Sequence, residues 1–434
     1  MVNIPKKCDV VVIGGGPSGS AAAAFLRQRG YDVVLFEKKK HPRYQVGESL
    51  VPQFWKFCDA AKATDKILAE GFIQKAGGTV AWNGVIRQTS FKQFGYKRPA
   101  LHVERDRFDH ILIDHARENG AKIFEEVIVL GANLERSGGP SVTYRPLGEK
   151  TPSEIACRFV VDATGQSALI GRQLDLRVID DDFRFMTVWG YFTNSMYIAL
   201  DGRAYPHEQV KTIPPTTFVS STGKWGWSWH IPLRKTTSVG LIIPQEEVQA
   251  VKASDEALQG YFLRKCAETP YLGRLLEPAR FSEENFHVMR HYSYRPKALT
   301  GPGFFLIGDS AAFIDPIFSE GCLLAFYSAF LAAWAIDRSF RHPERTVESQ
   351  AVFTRQFAGR YEVGHALAMP RFGGTGKASD VARMSINFDS AQEQELMYVA
   401  STMAERSENL VELTQKKWQG AGSEKFRVLE TIAF

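Results

Sequence analysis

Cysteine is scarce in this chain. Its five cysteines, Cys8, Cys58, Cys157, Cys266 and Cys322, are scattered through 434 residues, odd in number and without a Cys-x-x-Cys pair. That pattern argues against a disulfide framework and a thiolate zinc site, and it fits the reduced thiols of a cytoplasmic protein. Histidine offers no metal set either. His287 and His291 are spaced as HxxxH, but in a strand-rich stretch, where that spacing holds them too far apart to share an ion. His102-x-Glu104 and His342-x-Glu344 lack the Cys-x-x-Cys companion of a zinc deaminase. Gly-x-Ser-x-Gly, internal repeats and low-complexity runs are also absent. Charge comes in no long blocks: a net charge of +5 suits an anionic cofactor or an acidic partner and does not call for nucleic acid. No cationic, apolar leader precedes the first strand pattern, so secretion is not expected. The longest apolar run, Cys322 to Ile336, is interrupted by Ser328 and too short to span a bilayer unaided, so it reads as a buried helix and not a membrane anchor.

What is present is concentrated first between Val10 and Glu37. Val10-Val11-Val12-Ile13 reads as a buried strand, Gly14-Gly15-Gly16-Pro17-Ser18-Gly19 as a turn, the Ala-rich residues after it as a helix, and Val33 to Glu37 as a second strand ending on an acid. This is the register of a dinucleotide-binding βαβ unit. Gly14 is expected to make the tight turn, Gly16 to let backbone approach a pyrophosphate, and Gly19 to permit close helix packing. The helix start, with Pro17 and Ser18, offers N–H groups to phosphate, and Glu37 an acceptor for a ribose hydroxyl. With 44% hydrophobic and 12% aromatic residues, the chain is long enough for two or more domains.

Further along, Lys38 opens a basic turn, either a solvated loop or a contact for cofactor oxygens, and Val46-Gly47-Glu48-Ser49 follows it, with Glu48 and Ser49 as further cofactor candidates; Arg105, before a helix, is another. Lys75 follows Gly71 and precedes Gly77-Gly78, which predicts a bend with a long cationic side chain reaching inward; taken alone, it reads as a surface lysine. Phe159 to Asp162 is a strand running into Ala-Thr-Gly. From about 176 to 294 the texture alternates and is rich in aromatic and β-branched residues, the pattern of antiparallel strands. Within it Trp225, Trp227 and Trp229 fall on one face at period two. They form either core or the wall of an aromatic pocket. Phe304 to Gly308 delivers Asp309 at a strand end, suited to cofactor hydroxyls. Asp315-Pro316 leads to Glu320-Gly321, where a helix start aims N–H groups at an anion, either a reduced flavin or a halide. From 342 to 434 the chain reads mainly as helix, with Leu396, Val399, Met403, Leu410 and Leu413 as its core stripe.

Taken together, Gly14-x-Gly16-x-x-Gly19, Val46-Gly47-Glu48-Ser49, Gly308-Asp309, Asp315-Pro316-x-Phe318-Ser319-x-Gly321 and Trp227-x-Trp229-x-Ile231-Pro232 resemble flavin-dependent halogenases, most closely the branch acting on pyrroles and phenols. The resemblance implies an α/β fold, α+β overall. A Rossmann-like FAD-binding domain of the p-hydroxybenzoate hydroxylase type (1–175 and 295–341) would carry an inserted antiparallel β-sheet substrate domain (176–294) and a C-terminal helical region (342–434). It implies FAD, used as FADH2 and supplied by a separate flavin reductase, and chloride or bromide held near the backbone of Glu320 and Gly321. Gly71-Phe72-x-x-Lys75 matches the family's catalytic lysine, so Lys75 is expected to relay hypohalous acid to an electron-rich ring. That ring is free or tethered to an acyl or peptidyl carrier protein. Trp227, Trp229 and Ile231 are expected to separate flavin from substrate. Where the family usually has Ser-Ser-Gly, this chain has Ser319-Glu320-Gly321, so a halide can bind only if the Glu320 carboxylate points away. A flavin monooxygenase and a geranylgeranyl-reductase-like flavin reductase are the rival readings.

Overall fold

In the computed structural model the described residues are 3–82, 84–94, 96–223, 226–290, 293–368 and 426–434. Trp225, His291 and the expected stripe from Leu396 to Leu413 lie outside them.

In chain order the elements that build the site begin with β1 (Val10–Ile13), α1 (Pro17–Gln28) and β2 (Val33–Glu37). Then come β3 (Ile73–Lys75), β4 (Gly77–Trp82), β5 (Val85–Ser90), β6 (Ala100–His102), α2 (Arg105–Glu118), β7 (Lys122–Glu125) and β8 (Phe159–Asp162). The aromatic region contributes β9 (Phe185–Thr193), β10 (Thr216–Ser221), β11 (Trp227–Pro232) and β12 (Thr237–Pro244). The chain returns through β13 (Phe304–Leu306) and α3 (Gly321–Arg341), and continues as α4 (Thr346–Ala368) and β14 (Phe426–Leu429).

Two sheets organise these elements. The first runs β13-β8-β1-β2-β7, all parallel, with an antiparallel edge at Thr300–Gly301. Its central strands are buried at every position, β1 wholly apolar and β2 apolar up to Glu37, as expected of a parallel sheet covered on both faces. The second is a nine-stranded sheet whose path runs β9-β12-β11-β10-β4-β5-β14, with Arg280–Phe281 and His287–Arg290 also pairing β9. Its one parallel pairing is β10 with β4. Period-two alternation divides it: Thr217, Val219, Trp227, Trp229 and Ile231 face a cavity shared with the first sheet. Phe218, Val239, Leu241 and Ile243 join a separate core with Phe262.

Two features differ from the sequence reading. The antiparallel sheet draws β4, β5 and β14 from outside residues 176–294, and β14 is a strand in a region expected to be helical. β14 adds to the open edge of β5, with Val428 opposite Arg87, which satisfies backbone groups that the edge leaves unpaired. α3 is also longer than the apolar run suggested: 21 residues, enough by length and composition to cross a membrane. It is instead packed as a core helix, with Phe326, Ala329, Ala332, Ala333 and Ile336 fully buried.

Candidate active site

The two sheets enclose a cavity of about 610 Å3. It is lined by Gly14, Gly16, Pro17, Ser18, Glu37, Lys38, Glu48, Ser49, Arg105, Trp227, Trp229, Ile231, Asp309, Pro316 and Gly321. Gly19, Lys75 and Glu320, also singled out from the sequence, do not line it.

The glycine turn shows why each position is small. Gly14 adopts φ +107°, and a Cβ there would sit 2.3 Å from the Ala163 carbonyl oxygen. A Cβ on Gly19 would sit 1.9 Å from the Gly14 oxygen. Gly16 is different, since the nearest atom to its would-be Cβ is Arg43 Nη2 at 3.5 Å. No close protein contact demands glycine there, and the residue lines the cavity at the start of α1, whose first N–H groups lack intrahelical acceptors. Glu37 is locked across the turn: Oε2 accepts from Gly15 N at 2.7 Å and Oε1 from Lys39 N at 2.9 Å. Lys38 is exposed and reaches Ser167 Oγ at 3.5 Å.

Arg105 acts as a clamp on the loop before Glu48. Its Nη1 donates to the carbonyls of Val46 at 2.7 Å and Gly47 at 3.3 Å, while Nε and Nη2 engage the buried Asp109 at 2.8 and 3.1 Å. Arg43 joins the same carboxylate at 3.0 Å. The loop so held places Glu48 against an aromatic wall. Tyr191 OH donates to Glu48 Oε1 at 2.6 Å and lies 3.1 Å from Tyr44 OH, which accepts from Trp189 Nε1 at 2.5 Å. Burial raises the Glu48 carboxyl to about 7, against the lowering pull of Tyr191, Ser238 and the Arg105 charge. Burial likewise raises Asp309 to about 6, with Arg105 opposing.

Trp227 and Trp229 are both core and wall: 1% and 6% exposed, with ring centroids 5.9 Å apart. Trp229 lies over Gly240, its partner in β12, and donates Nε1 to Ser238 Oγ at 3.2 Å. The Trp227 indole N–H, also buried, meets no acceptor among the described residues.

Lys75 meets the cavity through Ser49, which lines it. It is 1% exposed, and its Nζ donates to Ser49 Oγ at 2.8 Å and to the Leu50 carbonyl at 3.1 Å. Burial alone brings the amine down to about 7. Ser49 was expected at the cofactor. It does line the cavity, but its hydroxyl also contacts Thr217 Oγ1 at 2.9 Å and accepts from Ser319 Oγ at 3.0 Å.

Ser319 adopts φ +58° just before α3, after a turn capped by Asp315, whose carboxylate accepts from Ile317 N at 2.9 Å. Glu320 is the N-cap of α3, and its side chain makes no capping bond there. The carboxylate turns onto α4 instead: Oε1 lies 3.2 Å from Arg360 Nη2, both side chains 8% exposed, and Oε2 approaches Gly364. Gly321, Cys322 and Ala325 face the cavity from the same helix start. The condition set by the sequence, a carboxylate turned away, is met in the geometry.

Comparison with known proteins then identifies the family. The FAD binding domain family matches residues 7–344. A flavin-dependent halogenase of Armillaria mellea is 32% identical over 358 residues, 78% of this chain and 69% of that protein. The chain belongs to the flavin-dependent halogenase family. A tryptophan 2-halogenase of Chondromyces crocatus is 35% identical over 339 residues, 77% of this chain, and the match spans 62% of that relative's length. Among solved structures, a myxobacterial chondrochloren halogenase, a variant of FAD-dependent halogenases, superposes with a TM-score of 0.76 at 27% identity, covering 95% of this chain and 96% of that one.

The cavity fits the cofactor of that family. The cradle at Gly16, the α1 start beside it and the acceptors Glu37 and Asp309 form one continuous wall that suits an extended dinucleotide. Among the described residues no group of three His, Cys, Asp or Glu side chains is placed to hold a metal ion. The sequence reading weighed His102 only as half of a metal pair and gave no role to Thr217, Asp109, Tyr44, Trp189, Tyr191 or Arg360. Asp109, one turn after Arg105 on α2, was open to spacing, and Tyr44 lies in the loop before Glu48; the others join the site through strands and helices distant in the chain.

Proposed function

We propose that this chain is an FADH2-dependent halogenase that uses dioxygen and chloride or bromide to halogenate an electron-rich aromatic ring. The observation that carries the reading is Lys75: a fully buried amine behind the flavin cavity's wall, held by Ser49 and the Leu50 carbonyl. Among the described residues no carboxylate pairs with it, and a buried amine so placed is costly to keep. A functional amine explains why it is there.

Bound reduced flavin supplies, with dioxygen, the oxidising equivalent that turns halide into hypohalous acid. The protein's residues do the rest. The start of α3 at Gly321 offers N–H groups to an anion while Arg360 draws the Glu320 charge off that site. Trp227 and Trp229 keep the organic substrate from the flavin. Lys75 receives hypohalous acid, donating a hydrogen bond to it when charged or forming a haloamine when neutral, and presents the electrophile to the ring. An amine brought down to about 7 holds both forms near neutral pH. The match of Trp227-x-Trp229-x-Ile231-Pro232 supports a pyrrole or phenol, free or on an acyl or peptidyl carrier protein. The tryptophan in one relative's name adds an indole to the panel. A separate flavin reductase, in the cytoplasm, would supply FADH2.

The test is mass spectrometry of products after supplying FAD, a flavin reductase, chloride and bromide, with free and carrier-bound pyrroles, phenols and indoles. Halogen in place of ring hydrogen supports the reading. Hydroxylated product with rapid NADPH oxidation by the protein alone replaces it with a monooxygenase.

A further inference from the structure

The hydrogen bonds around Lys75 run in one direction, and they end at a histidine. His102 is completely buried in β6, one strand from Lys75 in β3; the register pairs Ile73 with His102 and Lys75 with Ala100. Ser49 bridges His102 through its backbone. Thr217 enters from β10, opposite Gly78 of β4. Three separate pairings thus bring Lys75, Ser49, Thr217 and His102 into one chain of contacts.

The polarity of that chain follows from its two ends. His102 Nδ1 lies 3.0 Å from the Pro232 carbonyl, which can only accept, so Nδ1 carries the proton. Nε2, 2.8 Å from Thr217 Oγ1, is therefore the acceptor in the neutral ring, and Thr217 spends its hydrogen there. Ser49 must then donate to Thr217. This leaves the Ser49 oxygen to accept from both Lys75 and Ser319. A hydroxyl has one hydrogen and two lone pairs, and Ser49 uses all three. Two positions on Lys75 Nζ are accordingly taken by Ser49 and the Leu50 carbonyl. The third is an N–H when the amine is charged and a lone pair when it is neutral.

We propose that His102 is a positioning residue for Lys75: by fixing the direction of the Thr217 and Ser49 hydroxyls, it keeps the Ser49 hydrogen off the reactive position of the amine. The alternative orientation shows what is at stake. If Thr217 had no acceptor at His102, its hydrogen and that of Ser49 would be free to turn round. The Ser49 O–H would then point at the Lys75 nitrogen and occupy the lone pair that a haloamine needs. Burial, then the Lys75 charge, hold His102 well below its ordinary range, so it stays neutral and accepting at working pH; His230 adds to this. No net proton transfer is required.

This inference rests on Lys75 being the reactive amine, and its test is separable from halogenation. In [ε-15N]lysine-labelled protein, the Lys75 signal is assigned by its loss in Lys75→Met and titrated by NMR. In His102→Leu, and independently in Thr217→Val, the Lys75 midpoint is expected to fall by about one pH unit, because the released Ser49 O–H then donates to the neutral amine and favours it over the ammonium. His102→Gln, which keeps an acceptor toward Thr217, is expected to restore it. Halogenated product is expected to drop at least tenfold in the first two variants, with flavin binding and flavin oxidation unchanged in His102→Leu, whose side chain does not line the cavity. An unmoved midpoint in both Thr217→Val and His102→Leu overturns the proposal. A moved midpoint in a protein that halogenates nothing leaves the network in place and removes the halogenase reading.

Discussion

Glu320 and Arg360 form a buried pair across two helices, Oε1 to Nη2 at 3.2 Å, at the point where α3 begins beside the cavity. At the proposed halide site, the pair offsets the charge of an acid that would otherwise repel the anion.

Removing one partner should therefore do two things. Arg360→Met takes away a buried cation facing Glu320 and is expected to cost about 3–5 kcal/mol of stability. It should also raise the chloride concentration needed for half-maximal halogenation. The double variant Glu320→Ser with Arg360→Met should recover chloride affinity, because the repelling charge leaves with its partner. Thermal melts and chloride titrations of product formation check both. A single variant with unchanged chloride dependence removes Glu320 from the halide site.

Lys75→Met should abolish halogenation while leaving flavin binding and oxidation intact; product in that variant sinks the relay. Its stability should carry a pH signature. The folded amine titrates at about 7, below its ordinary 10.5. The fold therefore bears the full cost of a buried charge below pH 7, and that cost fades as pH rises from 7 to 10.5. The variant should be more stable than the parent by a margin that is largest in acid and shrinks through that window in denaturant titrations.

Glu48 gives the opposite window. Its carboxyl is raised to about 7 from an ordinary 4.5, so folding is unpenalised below pH 4.5 and loses stability as pH rises through 7. Glu48→Gln should match the parent in stability near pH 4 and exceed it above pH 7. A constant difference between the two across that range contradicts the buried, proton-holding carboxyl.

Gly240, the neighbour of Trp229 on the adjacent strand, seats that indole of the proposed partition. A Cβ there would lie 2.2 Å from Trp229 Cζ2, inside the indole ring. Gly240→Ala should push Trp229 off its seat, costing about 1–3 kcal/mol and shifting tryptophan fluorescence. With the partition displaced, product per flavin oxidised should fall while flavin oxidation continues. Unchanged coupling with a shifted indole assigns Trp229 to packing alone.

How much of this was legible in the sequence depended on distance along the chain. The turn from Gly14 to Gly19 is local, and its requirements, a positive φ at Gly14 and close contact at Gly19, are written in consecutive residues. Lys75 stood out only by its flanking glycines and by resemblance. Ser49 was legible as a cavity residue, but its bonds to Lys75, Thr217 and Ser319 span 26, 168 and 270 positions. Spacing cannot encode such contacts. The same holds for the nine-stranded sheet: nothing local in Gly77-Gly78 announces that β4 runs parallel to β10. The tight approach does explain the first glycine, since a Cβ on Gly77 would meet the Thr89 oxygen at 1.8 Å.

The sequence by itself determined the nucleotide-binding unit, the alternation that makes one aromatic sheet face and the apolar helix that follows Gly321. All three are properties of short-range periodicity and backbone preference. Tertiary structure decided what those parts enclose. It turned Glu320 onto Arg360, set Trp229 over Gly240 and joined Lys75 to His102 through two hydroxyls. These are directional contacts between side chains far apart in sequence, and only strand register and helix packing bring their atoms within hydrogen-bonding range.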